Sequence, residues 1–540
     1  MPPETIVSID QNCHPLWDVV PKLHALARAG RPARHLVEDI DVAFTALGAS
    51  PDDPLRMVRE RFHHSGGQDW GAALFYSEFL GTLPLDLRDL EPFLGQKLSA
   101  VARRCGTCVE NLYNAHSPGD NWQLIGPSYV TETTHRVIGD LRVGETAPFL
   151  REMLDIARAD MDRSFPAPDA RKRTASWFQQ QRAMLDDLLI RHKDAGLADL
   201  YDDWLTRSTG DATTVGRTSD RFALHRQADD PLVTLFLGDY ERAAELYNQA
   251  LADADSSLHP LNVSKGELPL FATLERDGRR VRTELALDGD TLHLAGETFA
   301  LPGDGSLPVD ALAAAGVRAI AGKAVLLVLQ VRTGPAGAPL ALPRQGSLYT
   351  PASHALQRRL EEAGCLDGPV APILRVRLAL LDRLAEVDTP IRLPEYLAAV
   401  AGTDELPAAE LAARWRSWRE DAMGRLKAMQ SDEGRQTWQR EAMPELHRQI
   451  DGMDTRRRTL ARENPKGEEI RELSHRIREL QSTVAGRTLQ QVIRDTHVSQ
   501  LDYWDSRGAT WPWCIALGGE TFYDRVLEQA EITPETVLTS

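Results

Sequence analysis

At 540 residues, with about 150 residues per domain, the chain has room for roughly three to four domains, so size excludes nothing. A hydrophobic share of 42% beside 26% charged residues excludes wholesale disorder and a membrane-embedded chain. The net charge of −17 repels phosphate backbones and anionic bilayers, which excludes general nucleic-acid or membrane docking.

The one basic run, Arg456, Arg457 and Arg458, sits among acidic neighbours and reads as a solvated helix face. No apolar stretch approaches the ~18 residues of a spanning helix. Met1-Pro2-Pro3-Glu4 lacks the basic-then-apolar layout of a signal peptide. Five cysteines are too few and odd in number for a secreted disulfide framework, so the expected location is the cytoplasm.

In chain order, 16–80 reads mostly as helix, interrupted at 48–54 and at the polar loop 63–67. Residues 87–113 read as two short helices before the break Ser117-Pro118-Gly119-Asp120, and long amphipathic helices fill 147–205. The Thr-, Ser- and Asp-rich stretch 207–230 reads as a long loop or domain boundary. A helix with Tyr240, Ala243, Leu246 and Leu251 on its apolar face follows.

From Pro269 to Leu294 the pattern is strand, turn, strand, turn, strand, with Asp277-Gly278 and Asp288-Gly289 supplying the turns. The run Ala324 to Val331 (AVLLVLQV) is almost wholly apolar and reads as a strand covered on both faces, implying a central sheet flanked by helices. Helix-compatible sequence then runs from Pro407 to about Leu460, with a kink expected at Pro444. After the turn Asn464-Pro465-Lys466-Gly467, Ile470, Leu473, Ile477, Leu480 and Val484 fall on one heptad seam, matched by Leu446, Ile450, Met453 and Leu460.

The expected fold is therefore mixed α/β and helix-rich, a Rossmann-like body with a C-terminal antiparallel coiled-coil helical hairpin. Its parts are a helix-rich N-terminal portion (1–205), a connecting loop and helix (206–260), the β-meander with the remainder of the body (261–405), the hairpin (406–500) and a docking segment (501–540) that carries Trp511, Trp513 and Tyr523.

Several chemistries lack their residues. A phosphate loop over 316–324 fails, because five residues separate Gly316 from Gly322 and Ala324 stands where a hydroxyl belongs. There is no Gly-x-Ser-x-Gly elbow, HExxH helix or Gly-x-Gly-x-x-Gly fingerprint. Cys105-Gly106-Thr107-Cys108 has redox-dithiol spacing beside Arg103 and Arg104, but its flanks read as helices joined by a turn.

The segment His63-His64-Ser65-Gly66-Gly67-Gln68-Asp69-Trp70 is the most suggestive: its glycines admit a close ligand, and its histidines, glutamine and aspartate supply donors and acceptors. Asp120 and Asn121 can line a second polar loop. Lys265 and Glu267, just before the meander, offer a cation and a carboxylate. No metal-ligand set is expected.

Lys265-Gly266-Glu267-Leu268-Pro269-Leu270-Phe271, the hairpin through Asp277-Gly278-Arg279-Arg280, Gly346-Ser347-Leu348-Tyr349 and PVAPILRVRLALLDRL at 369–384 come in an order, closed by a helical hairpin, that resembles the bacillithiol-biosynthesis cysteine-adding enzymes. The resemblance runs from Lys265 to the end, with a glycine-and-glutamine loop at Gly66, Gly67 and Gln68; the family's Gly-Glu-Asp-His-Asp segment is absent. It implies a carbon–nitrogen ligase that joins cysteine to an amine-bearing glucosamine conjugate.

Such a ligation needs an activated carboxylate, a base and donors for the developing oxyanion. His63 or His64 would be the base, with Asp69 beside them, and Gly66, Gly67, Gln68, Asp120, Asn121 and Lys265 would bind ligand. The cofactor is left open, a nucleotide among the candidates. The alternative is a non-catalytic assembly protein that forms a homodimer through the hairpin.

Overall fold

The computed structural model describes residues 5–9, 17, 19–41, 78–81, 85, 87–109, 111–112, 134–256, 258–303, 305–345, 347, 349–366, 368–463 and 467–535. It is a mixed α/β, helix-rich chain. The strands are β1 (Ile6–Ile9), β2 (Ala33–Val37), β3 (Thr134–Arg136), β4 (Thr213–Arg217), β5 (Glu267–Arg276), β6 (Arg279–Asp288), β7 (Thr291–Leu294), β8 (Glu297–Ala300), β9 (Val317–Gly322), β10 (Leu340–Pro343), β11 (Ile373–Arg377), β12 (Pro390–Arg392), β13 (Glu405–Pro407) and β14 (Glu531–Pro534).

One six-stranded sheet has the order β14-β11-β10-β1-β2-β4. Every neighbouring pair in it is parallel except β11 with β14, which is antiparallel. Parallel neighbours require crossovers, and helices supply them: Val20–Arg28 lies between β1 and β2, and Thr350–Glu362 between β10 and β11. The helices Val143–Ser164, Pro168–Arg191 and Leu197–Thr209 lie between β2 and β4. They belong to the largest hydrophobic cluster, which includes Leu23, Leu26, Phe165, Leu185, Trp204, Trp504 and Trp513.

A second, antiparallel sheet is inserted between β4 and β10, in the order β8-β7-β6-β5-β9 with β3 also paired to β6. Its β5–β6 hairpin turns at Asp277 and Gly278, both at positive φ (51° and 74°), as the Asp-Gly pair predicts. Gly266, at φ 64°, precedes β5, and a Cβ there would lie 1.7 Å from the Leu287 carbonyl oxygen, so no other residue fits.

Three local readings are corrected. Ala324–Gln330 is a helix, not a strand; Val325, Leu326, Val328 and Leu329 are all buried, and a short apolar run enclosed on every side carries no period that separates the two states. Thr213–Arg217, within the stretch read as a loop, is a strand of the parallel sheet. Ala33–Val37, within the stretch read as helix, is β2.

The C-terminal arm is built from Ala408–Met429, Asp432–Ala442, Pro444–Glu463 and Glu468–Ser499. The helix is broken twice: Ser431 Oγ caps the second helix by accepting from Gly434 N at 3.1 Å, and Pro444 opens the third. The last helix packs along Pro444–Glu463 at its start and along Ala408–Met429 further on. Ile477, Leu480 and Val484 are buried, whereas Leu446, Ile450, Met453, Leu460, Ile470 and Leu473 are half-buried. Leu98–Arg104 docks on the arm's base, where Leu98, Val101 and Ala102 meet Leu426, Met429, Leu489 and Val492. Among the described residues no helix is long and apolar enough to cross a membrane.

Candidate functional site

At the carboxyl end of β2 the chain runs directly into Glu38-Asp39-Ile40-Asp41. Glu38 is only 4% exposed. Its Oε1 accepts from Ile40 N at 3.2 Å, Asp41 N at 3.1 Å and the Thr218 hydroxyl at 2.9 Å. Burial, reinforced by Asp41 and Asp39, pushes its carboxyl well above the ordinary 4.5.

Thr218 and Ser219 follow β4, the neighbour of β2, and turn toward the same spot. The Asp39 carboxylate accepts from Ser219 N at 2.8 Å and Ser219 Oγ at 2.6 Å, and lies 2.8 Å from Thr218 Oγ1, whose single proton Glu38 and Asp39 share. Asp39 N in turn donates to Thr218 Oγ1 at 3.0 Å. Gly139 N donates to the Asp39 carbonyl at 2.8 Å, and Ile138 N to that of Asp41 at 3.0 Å, fixing the loop from behind.

The second sheet faces this loop. Arg282 of β6 forms an ion pair with Asp41 and lies 3.8 Å above the Phe271 ring of β5, a stacking that holds the guanidinium in place. Two residues further along β6, and therefore on the same face, Glu284 forms an ion pair with Lys323. Lys323 follows β9, and its N–H donates to the Pro269 carbonyl at 2.8 Å. Burial lowers its ammonium to about 8; Glu267 opposes the fall and Arg282 adds to it. The Lys323 side chain is 22% exposed and that of Glu284 is 56% exposed, so the pair opens to solvent on the carboxylate side.

Carboxyl and amine thus titrate toward each other across the seam between the sheets, the arrangement that acid–base chemistry near neutral pH needs. The acidic loop can hold a cationic amine, Glu38 can donate a proton and Lys323 can accept one.

The residues expected from sequence are placed differently. His63, His64, Gly66, Gly67, Gln68, Asp69, Asp120 and Asn121 lie outside the described residues. Lys265 is exposed on the turn before β5, while the half-buried lysine of this sheet is Lys323. The Cys105 thiol is pushed up by burial, which works against a thiolate in a redox dithiol.

A buried pair, Ser8 Oγ and His35 Nδ1 at 3.0 Å, joins β1 and β2. With exposures of 0% and 1%, it is a satisfied cross-strand hydrogen bond rather than a nucleophile open to substrate. No family, curated protein or solved structure matches the chain.

Proposed function

We propose that the chain is a carbon–nitrogen ligase that joins an amino acid to the amine of a small molecule, with cysteine and a glucosamine conjugate as the pair that the resemblance implies. The observation that carries this reading is the meeting of the acidic loop with Arg282, Glu284 and Lys323 of the second sheet, joined by the Arg282–Asp41 and Lys323–Glu284 ion pairs. Asp39 and Asp41 take the ammonium of the acceptor; Lys323, as free base, removes the proton the amine must lose before attack. The loop Val37-Glu38-Asp39-Ile40-Asp41 supplies three acidic residues of its own in place of the resembled family's absent Gly-Glu-Asp-His-Asp segment.

A Rossmann-like reading of the body is supported by the strand order, in which β1 and β10 stand where the winding reverses and the acidic loop leaves the carboxyl edge beside them.

The test is direct. Purified protein is incubated with cysteine and an amine-bearing glucosamine conjugate, with and without ATP, and the amide is sought by mass spectrometry. Product is expected, with a rate that rises with pH through about 8 as Lys323 loses its proton. Lys323→Met should lower the rate by about 10²–10⁴-fold. No product under any condition, with no shift in melting temperature from either substrate, overturns the reading.

A second reading, homodimerisation through the arm, is favoured by the half-buried seam at Leu446, Ile450, Met453 and Leu460. It expects sedimentation as a dimer that reverts to a monomer in Leu473→Asp with Ile477→Asp. A wild-type chain that sediments as a monomer removes it.

A further inference from the structure

Away from the acidic loop, the edge of β11 gathers several cationic side chains, one of which, Arg377, also pairs with Asp382 at 2.6 Å and with the buried Asp505 at 2.9 Å. Arg375 and Arg377 alternate on one face of β11, and Arg344 follows β10. His354 of the helix Thr350–Glu362 is buried beside them and faces Glu535.

Arg375 is held independently of any carboxylate, because it also donates to Pro343 O at 3.0 Å and to Thr350 Oγ1 at 2.8 Å. Its guanidinium fork is therefore set in advance. What covers the edge is a short piece of the chain itself. β14 pairs with β11 through Leu374↔Pro534, Arg375↔Thr533, Val376↔Ile532 and Arg377↔Glu531.

The side chains of this segment supply the opposite charge. Glu535 receives Arg375 through Nε at 3.0 Å and Nη2 at 3.1 Å, with His354 Nε2 at 3.5 Å. Glu531 lies 3.3 Å from Arg377 and 3.6 Å from Arg344. Burial pushes the Glu535 carboxyl upward, yet His354 and Arg375 hold it below the usual carboxylate range. Apolar anchoring is slight: Glu531, Thr533 and Pro534 are exposed, and Ile532 and Glu535 are half-buried. A four-residue edge strand held by backbone bonds and charge belongs to the low-stability end of a fold.

We propose that the β11 edge is an acceptor site for an extended acidic peptide of another protein with Glu-x-x-x-Glu spacing, which the chain's own Glu531-Ile532-Thr533-Pro534-Glu535 occupies in cis. The backbone groups of β11 provide affinity by strand addition, and Arg375, Arg377, Arg344 and His354 select carboxylates four residues apart. The bound segment serves as its own evidence, since its sequence is the ligand the site already accepts.

The experiment uses the full chain carrying Glu531→Gln with Glu535→Gln and a fluorescein-labelled peptide spanning 529–535. Fluorescence anisotropy should show saturable binding that weakens with added salt. Replacing both glutamates of the peptide with glutamine should weaken it by about tenfold. The unaltered chain should bind poorly, because its own segment occupies the edge. Absence of binding to the altered chain, or equal binding of the glutamine peptide, overturns the proposal.

Discussion

Glu38→Gln is expected to lower turnover in the proposed ligation by about 10²–10⁴-fold while leaving the folded chain at least as stable as before. The glutamine keeps an oxygen for Ile40 N, Asp41 N and the Thr218 hydroxyl, the three donors that now point at Oε1, and removes a carboxyl that burial, Asp41 and Asp39 hold in an unfavourable place. A carboxyl whose folded pKa lies above its unfolded value contributes stability that is complete below the unfolded pKa. That contribution is lost as pH rises through the folded one.

The ordinary value here is 4.5. The two chains should therefore unfold at the same temperature in mild acid, and above the raised pKa the glutamine chain should be the more stable, by about 1.4 kcal/mol for each unit of the shift. Thermal unfolding followed from pH 4 to 9 measures this. A glutamine chain that is less stable at every pH, with turnover unchanged, would show that Glu38 is an ordinary structural carboxyl and would remove it from the site.

The parts of the molecule legible in sequence are those whose pattern is local. The β5–β6–β7 meander declares itself through Asp277-Gly278 and Asp288-Gly289, and the arm through apolar residues three and four apart. The parallel sheet does not, because each of its strands is specified by neighbours far along the chain. β1 has four residues, β2 carries Arg34 and His35, and β4 is Thr-Thr-Val-Gly-Arg. His35 is tolerable inside a sheet because Ser8 of β1 meets it, a fact no window around His35 contains.

The helix Ala324–Gln330 was illegible for the opposite reason: apolar residues on every side erase the amphipathic stripe. The candidate site shares this difficulty. Glu38-Asp39-Ile40-Asp41 lies inside the stretch that the sequence reads as helix, and what sets it apart is Thr218, 180 residues away, closing over Glu38. Lys323 differs from Lys265 only through what covers it. A signal was nevertheless present in the placement of three acids directly after His-Leu-Val, since the carboxyl end of a strand is where ligands gather in parallel sheets.

Trp513→Ala is expected to be the most damaging single change to the fold, at about 3–5 kcal/mol. The ring is completely buried and meets Phe79 edge-on at 5.1 Å and Trp504 at 5.4 Å, while Phe79 stacks on Phe165 at 5.4 Å. These contacts join segments from both ends of the chain: Phe165 follows the helix Val143–Ser164, and Trp513 belongs to the helix Thr510–Gly518. Alanine would leave a cavity bounded by rigid rings that cannot collapse into it, and edge-to-face contacts worth about 0.5–1.5 kcal/mol each would go as well.

Because the same cluster contains Leu23 and Leu26 of the helix after β1, the loss should spread to the parallel sheet rather than remain at the C-terminus. Urea unfolding followed by far-UV circular dichroism should show the main transition moving to lower denaturant. Limited proteolysis should then open the chain near both ends at comparable rates. Cleavage confined to the region after 501, with an unmoved main transition, would mean that the aromatic segment docks as a separate unit and that the core does not depend on it.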